Sequence, residues 1–438
     1  MSERKLGITL LVLTVLVSGV LALPALASSQ ARIVRLSDVE GTVAIDRNAG
    51  QGYEKAFLNM PITEGIKLWT KSDGRAEVEF EDGSVVRMAP ETKITFSRLS
   101  LTDSGKKLSM VKVEEGTAYI NFRSKNDSEL AVNFGHESTR LMQPAHLRVD
   151  MRDTEAIVAV FTGEVEVAGP SGPVKVGKKQ TATFDLAAND HYELAKNLEQ
   201  DPYDKWDKEQ TKYHDRYYAS NSYNGYPYSY GVSDLNYYGS FYNVPGYGYL
   251  WQPYFAGIGW NPFSNGAWCW YPGFGYTWVS GYPWGWMPYR YGTWVFVPAY
   301  GWAWQPGGWT AWNRVPVVTN PPNRFAPPPV PTTAGHPTVI VGSAGTGSGG
   351  ARQLMVAQGS AGLGIPRGSV RNLPLLSQRV AAQGSAMVHA APAPVAPRSY
   401  APRSMGMGSP AHMGSAGARM SAPSHSSSSH VSVSSSRR

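Results

Sequence analysis

Groups able to move a proton or hold a metal are present in this chain of 438 residues, but their spacing does not assemble them into a reactive set. Glu77, Glu79 and Glu81 alternate along "RAEVEFEDGSVVRM", beside Asp82 and Gly83. Alternation at period two puts all three carboxylates on one strand face, where a solvated sheet surface is expected rather than an acid–base pair. His136-Glu137 lacks the second histidine of a metalloprotease helix, and the nine histidines show no zinc spacing. No Gly-x-Ser-x-Gly elbow and no phosphate loop with its lysine occur. The stretch "TVIVGSAGTGSGGARQLM" sets Gly345-x-Gly347-x-x-Gly350 behind an apolar run. A dinucleotide site needs an acid about 20 residues further on, and no acid follows Asp234. Neither a catalytic residue, a cofactor nor a metal is therefore expected. With Cys269 as the one cysteine, no intrachain disulfide forms, and stability must come from packing.

The charge distribution divides the chain. All 33 acidic residues lie at or before Asp234, and the last lysine is Lys212. Beyond Asp234 there are 12 arginines and no acid, which leaves 28 basic residues before it (40 − 12). At the other end, Arg4 and Lys5 precede an uncharged run that closes on Ala25-Leu26-Ala27. That is the pattern of a secretory signal over 1–27, with cleavage after Ala27 and export to the periplasm, the outer surface or the medium. The same run is just long enough to stay as a membrane anchor.

From about residue 33 to 187 the pattern is β. Ala76, Val78 and Phe80 oppose the three glutamates, and Asp82-Gly83 supplies the positive-φ turn of a hairpin. "AIVAVFTGEVEVAG" repeats the device at Thr162-Gly163, while "VEGTVAI" and "EEGTAYINF" are strands entered through glycine. Short strands with regular turn signals predict a mainly β fold, a sandwich or roll. "VEGTVAI", the Gly65-x-x-Leu68-x-Thr70 step, "VEEGTAYI" and the closing "FTGEVEVAG…VKVGKKQTATFD" resemble, in that order, the FecR domain. The likeness departs at "PAHLRVD" (144–150), where the family often has a Gly-Thr-x-Phe strand. Regulatory members of that family carry an anti-sigma segment, and only a handful of residues precede the apolar run here. Residues 190–233 form a polar linker, read as a helix from His191 to Tyr218 broken at Pro202, with Leu194, Leu198 and Trp206 as docking candidates.

Residues 234–314 are a repeat. "YGSFYNVPGYGYLWQP", "NGAWCWYPGFGYTWVS" and "YGTWVFVPAYGWAWQP" align on Gly239, Gly266 and Gly292, separated by 27 and 26 residues. Each unit predicts a strand, a turn at the Pro-x-ring-Gly corner and a return strand, and its glycines and prolines exclude membrane spans. Cys269 occupies a position held by Tyr242 and Val295 in the sister units. The repeat is similar to a Tyr/Trp/Gly-rich domain of unknown function (the DUF6600 type) that often follows FecR domains in exported bacterial proteins. Twelve of the 14 tryptophans lie here. Two readings stay open. The rings are the core of a small module, or a subset that includes Trp251, Trp268, Trp278, Trp286, Trp294 and Trp304 is displayed as a binding platform. Envelope polysaccharide or envelope protein is the partner expected for such a platform, ahead of nucleic acid. Residues 317–438, rich in Ala, Ser, Pro and Gly, are expected to be a disordered cationic tail with weak attraction for anionic surfaces. The function expected is a non-catalytic exported envelope protein that acts as a binding module, with glycan or envelope-protein contacts through the aromatic repeats and the FecR-like domain as a protein-interaction domain. The alternative is an anchored envelope sensor related to FecR regulators.

Overall fold

The computed structural model describes residues 32–389, apart from 125, 189, 220–228, 310–315, 320, 322–324, 330–336 and 343–352. Ala27 and the apolar run before it therefore lie outside the described residues, as do Gly345–Gly350 and everything beyond 389.

The first half is a sandwich of two sheets joined by one long strand. Its first strands are β1 (Val34–Glu40), β2 (Val43–Asp46), β3 (Tyr53–Lys55), β4 (Pro61–Ile62), β5 (Lys67–Thr70) and β6 (Arg75–Glu79). Then come β7 (Val85–Met88), β8 (Lys93–Leu101), β9 (Lys107–Phe122), β10 (Ser128–Phe134), β11 (Glu137–Leu141) and β12 (Ala145–Met151). β13 (Glu155–Thr162), β14 (Glu164–Ala168), β15 (Val174–Gly177), β16 (Gln180–Asp185) and β17 (His191–Ala195) complete it. The first sheet runs β4-β1-β6-β7-β9-β12-β13-β16-β17. The second runs β3-β2-β5-β8-β9-β10-β11-β14-β15.

β9 belongs to both sheets and bends between them at Gly116, where φ is 81° and an added Cβ would sit 2.5 Å from the Glu91 carbonyl. Only glycine fits such a bend. The expected strand "EEGTAYINF" is thus the second half of a longer strand. Asp82-Gly83 makes the predicted hairpin between β6 and β7, with Phe80 N–H donating to the Ser84 carbonyl at 2.8 Å. Thr162-Gly163 does not. β13 and β14 are in different sheets, and Gly163 (φ 83°) marks the crossing. "PAHLRVD" departs from the family sequence and still forms β12, paired with both β9 and β13.

The segment read as one broken helix is two elements. His191–Ala195 is strand β17, paired with β16, and the helix is confined to Asp204–Ala219. Trp206 is buried against Tyr119, whereas Leu194 is exposed. The strand wins at His191 because β16 offers an unpaired edge, and ladder hydrogen bonds outweigh weak helix propensity.

A second helix, Val232–Tyr238, leads into three hairpins. They are β18 (Gly239–Val244) with β19 (Gly248–Pro253), β20 (Gly266–Tyr271) with β21 (Gly275–Ser280), and β22 (Tyr291–Val297) with β23 (Gly301–Trp309). Each corner is built alike. The N–H groups of Tyr247, Phe274 and Tyr300 donate to the carbonyls of Val244, Tyr271 and Val297 at 3.0, 3.0 and 3.1 Å. Proline precedes a positive-φ residue in each, Gly246, Gly273 or Ala299 (81°, 77° and 72°), which makes these type II turns. The glycine that opens a unit is a packing requirement. A Cβ on Gly239 would lie 2.3 Å from the Trp251 ring, and one on Gly266 would lie 2.4 Å from the Trp278 ring.

Part of the stretch expected to lack structure is folded. β24 (Val318–Thr319) and β25 (Val339–Val341) add to β22 and β20. β26 (Gln353–Ala357) and β27 (Ser385–His389) form a hairpin around the helix Leu373–Gln383. Val356, Ile365, Leu373, Leu376 and Val380 from this segment join the main apolar cluster. Its apolar content is too low for a core of its own, but it suffices to cover one that already exists.

Candidate functional site: a sealed ion network and an aromatic core

Of the two readings left open for the six tryptophans, the core reading holds and the display platform does not: all six are buried. Trp251, Trp278, Trp286, Trp294 and Trp304 are 0% exposed and Trp268 is 4%. Register explains it. Phe241 faces Trp251, Trp251 faces Trp304, and Trp304 faces Trp294, so one row of rings crosses four strands on one side of the sheet. Trp268 faces Trp278 in the remaining hairpin, with centroids 5.3 Å apart. Trp284 is stacked between Tyr282 and Tyr289 at 5.0 and 6.0 Å and meets Trp251 edge-on at 5.0 Å. Trp251 and Trp304 donate their indole N–H to the carbonyls of Leu235 and Tyr291 at 3.2 and 2.6 Å. Burying one such ring removes roughly 150–250 Å² from water, on the order of 4–6 kcal/mol each before entropy is counted. The rings are hidden because they pack on the sandwich and on residues 353–389 as well as on one another. Cys269, fully buried, has its thiol pushed up to about 12 by that burial, which removes it as a nucleophile at neutral pH.

The glutamates expected to face water are also buried. Glu77, Glu79 and Glu81 are 0%, 2% and 7% exposed, because the outer face of the first sheet is covered by the chain's own later elements. Glu77 lies 2.7 Å from Arg87 Nε, 2.8 Å from Arg367 Nη1 and 2.9 Å from His214 Nε2, and it accepts from the Ser37 hydroxyl at 2.7 Å. Asp234 accepts from Arg367 Nε and Nη2, both at 2.9 Å, and from the Tyr213 hydroxyl at 2.8 Å. Arg35 Nη1 is 2.7 Å from Asp234 and 3.2 Å from Glu79. Asp207 closes the far side, 2.6 Å from Arg87 Nη1 and 2.8 Å from His146 Nε2. The Arg367 guanidinium also donates to the Ser37 carbonyl and covers the Tyr213 ring.

Burial alone would raise the Glu77 carboxyl, but His214, Arg367 and Arg87 outweigh it and hold the group well below the usual range. Asp234 is depressed in the same way, burial being overcome by Arg367 and Arg35. At the rim, Asp38 is pushed up to about 7 by burial, against the pull of Arg367. Glu77, Asp234 and Asp207 each have counter-charges. The cluster ties together the sandwich, both linker helices and residues 353–389. The sequence held one clue to it: a segment with arginines and no acids must find its counter-charges upstream.

Direct bonds also fix the aromatic module to the sandwich. Asn59 Nδ2 donates to the carbonyls of Ser280 and Tyr282 at 3.0 and 2.7 Å, and the Tyr271 hydroxyl donates to the Pro61 carbonyl at 2.9 Å. A surface depression of about 330 Å³ lies at this seam, lined in part by Arg32, Arg47, Pro272 and Phe274. Its arginines are already paired, Arg32 with Glu81 at 2.8 Å and Arg47 with Glu54 at 2.5 Å. Among the described residues, no group of three His, Cys, Asp or Glu is arranged to hold a metal ion.

Comparison with known proteins gives matches over two stretches. Residues 66–166 match the family described as FecR protein, and residues 232–331 match the Family of unknown function (DUF6600). No curated protein matches the chain. Two solved structures of a proposed anti-sigma factor from Parabacteroides distasonis are similar at 18% and 17% identity, each with a TM-score of 0.27 over 30% of this chain. The chain spans 60% of the length of each. In chain order, the protein carries a FecR domain followed by the aromatic-repeat family of unknown function.

Proposed function

We infer that this is a non-catalytic protein of the bacterial cell envelope, of the FecR regulatory and sensing class, in which the sandwich meets a partner and the aromatic repeats are scaffold. FecR proteins are envelope-associated, and the family match lies within the sandwich. One observation supports the division of labour: the outer face of the first sheet is covered from β1 to β13 by the chain's own later elements, with only its β17 edge exposed, whereas the second keeps an open outer face. Binding then falls to the FecR portion, expected as a protein-interaction domain, rather than to the aromatic repeats.

Among the described residues no helix is long and apolar enough to cross a membrane. The exported and the anchored versions differ only in the fate of residues 1–27. Fractionation of cells that express the full chain, with sequencing of the mature N-terminus, tests the reading. Ser28 as the first residue in a periplasmic, surface or medium fraction supports export. An intact N-terminus in a detergent-extracted membrane fraction supports the anchored sensor. Retention in the cytoplasm contradicts both.

A further inference from the structure

The open outer face of the second sheet has an unusual make-up. Side chains on adjacent strands align in rungs. One rung reads Tyr53, Asp46, Lys67, Thr95, Lys112 and Asn133 across six strands. The next on one side runs Lys55, Ala44, Trp69 and Lys93. On the other side, Arg98, Met110, Ala131 and Arg140 align.

Some of this charge is neutralised at home: Lys93 pairs with Glu115 at 2.6 Å and Arg140 with Glu129 at 3.1 Å. Asp46 and Glu114 accept from the Asn48 N–H and the Thr95 hydroxyl, and the other exposed acids of this sheet, Glu164 and Glu166, lie away on β14, where Glu166 faces Lys175. Lys55, Lys67, Lys71, Arg98 and Lys112 have no carboxylate at ion-pair distance among the described residues. Two rings stand among these cations. Tyr53 is 42% exposed and lies 5.8 Å from the half-buried Trp69, over which Lys71 and Lys93 place their ammonium groups.

The centre of this face decides what it fits. Stable protein interfaces have an apolar centre from which charge, lysine above all, is depleted. Here Lys67 and Lys112 are at the centre, about 10 Å apart, two strand spacings. Lysine is a flexible point charge, suited to a row of anions rather than to one bidentate contact. Flat rings at the edge suit the apolar faces of sugars.

We propose that this sheet face docks an anionic polysaccharide, with the lysines on its acid groups and the exposed Tyr53 ring against its sugar rings. This rests on the reading of the sandwich as the binding part, but the two fail separately, since export can hold while the polymer is ignored.

The test is affinity electrophoresis of the purified full chain through gels that contain alginate, dextran or poly-glutamate. Alginate should retard the protein and neutral dextran should not. Lys67→Glu with Lys112→Glu should weaken the alginate effect on the order of tenfold, and raised salt should weaken it further. Tyr53→Ala should cost about threefold to tenfold, the loss of one stacked ring. Lys208→Glu, an exposed site on the linker helix, should change little. No retardation by alginate overturns the proposal. So does an equal loss in the Lys208→Glu control, which would mean net charge alone. Stronger retardation by poly-glutamate than by alginate also overturns it, in favour of an acidic protein partner. An unchanged thermal midpoint shows that a weakened variant is still folded.

Discussion

Replacing Arg367 probes the link between residues 353–389 and the buried acid cluster. Its guanidinium makes hydrogen bonds to Asp234, Glu77 and the Ser37 carbonyl, and its side chain is 8% exposed. Arg367→Met keeps the apolar stem against Tyr213 and removes the charge. The two carboxylates then stay buried with Arg35, Arg87 and His214 as their remaining cations. Breaking a buried pair by removing one partner costs about 3–5 kcal/mol, because the other charge is stranded. The existing counter-charges soften this, so the expected loss is about 3 kcal/mol. Urea denaturation of the full chain reads it directly, with Arg371→Met, at an exposed neighbouring site, as the control. Limited proteolysis should cut the variant within 353–389 before the sandwich. A double-mutant cycle with Asp234→Asn should show a coupling of about 1–3 kcal/mol. A loss below about 0.5 kcal/mol, equal to that of a surface site, would refute the idea that this segment is locked into the acid cluster.

Other expectations follow from the same geometry. Ala299 holds φ at 72° where the sister turns have glycine, so Ala299→Gly should raise stability by about 0.5–1 kcal/mol, measured as the denaturation midpoint. Gly266→Ala puts a Cβ 2.4 Å from the Trp278 ring and should cost about 1–3 kcal/mol, with altered near-ultraviolet circular dichroism. Glu77 and Asp234 are depressed in the folded state, so their stabilisation is present above the unfolded values of 4.5 and 3.8 and is lost as pH falls through the folded ones. Asp38 has the opposite sign. Its folded value of about 7 exceeds the unfolded 3.8, so it opposes folding increasingly as pH climbs between them. Asp38→Asn should therefore be the more stable form at pH 8, by about 1–2 kcal/mol after discount for partial exposure.

How far these features could be seen in the sequence depends on what covers each residue. Period-two alternation revealed β6 and β7, and the glycine and proline spacing revealed all three hairpins, since turns and pleats are local. The side on which a strand meets water is not local. Glu77 and Glu79 alternate with Ala76 and Val78 as an exposed sheet face would, yet the covering chain arrives from residues 204–238 and 367. The tryptophans misled for the same reason: a unit of 26 residues cannot hide so many rings, but the unit does not hide them alone. Arg367 carried a compositional signal without an address. His191–Ala195 was misread because strand pairing with β16 lies outside what a helical pattern reports.

Interior rings and an open FecR face are the two features on which the functional reading depends. Quenching of tryptophan emission by acrylamide in the native full chain tests both at once. Ten tryptophans are buried and Trp69 and Trp270 are partly exposed among the described residues. A small quenchable fraction, reduced further in Trp69→Phe, is the predicted result. Quenching of most of the native emission, with no change in Trp69→Phe, would contradict it.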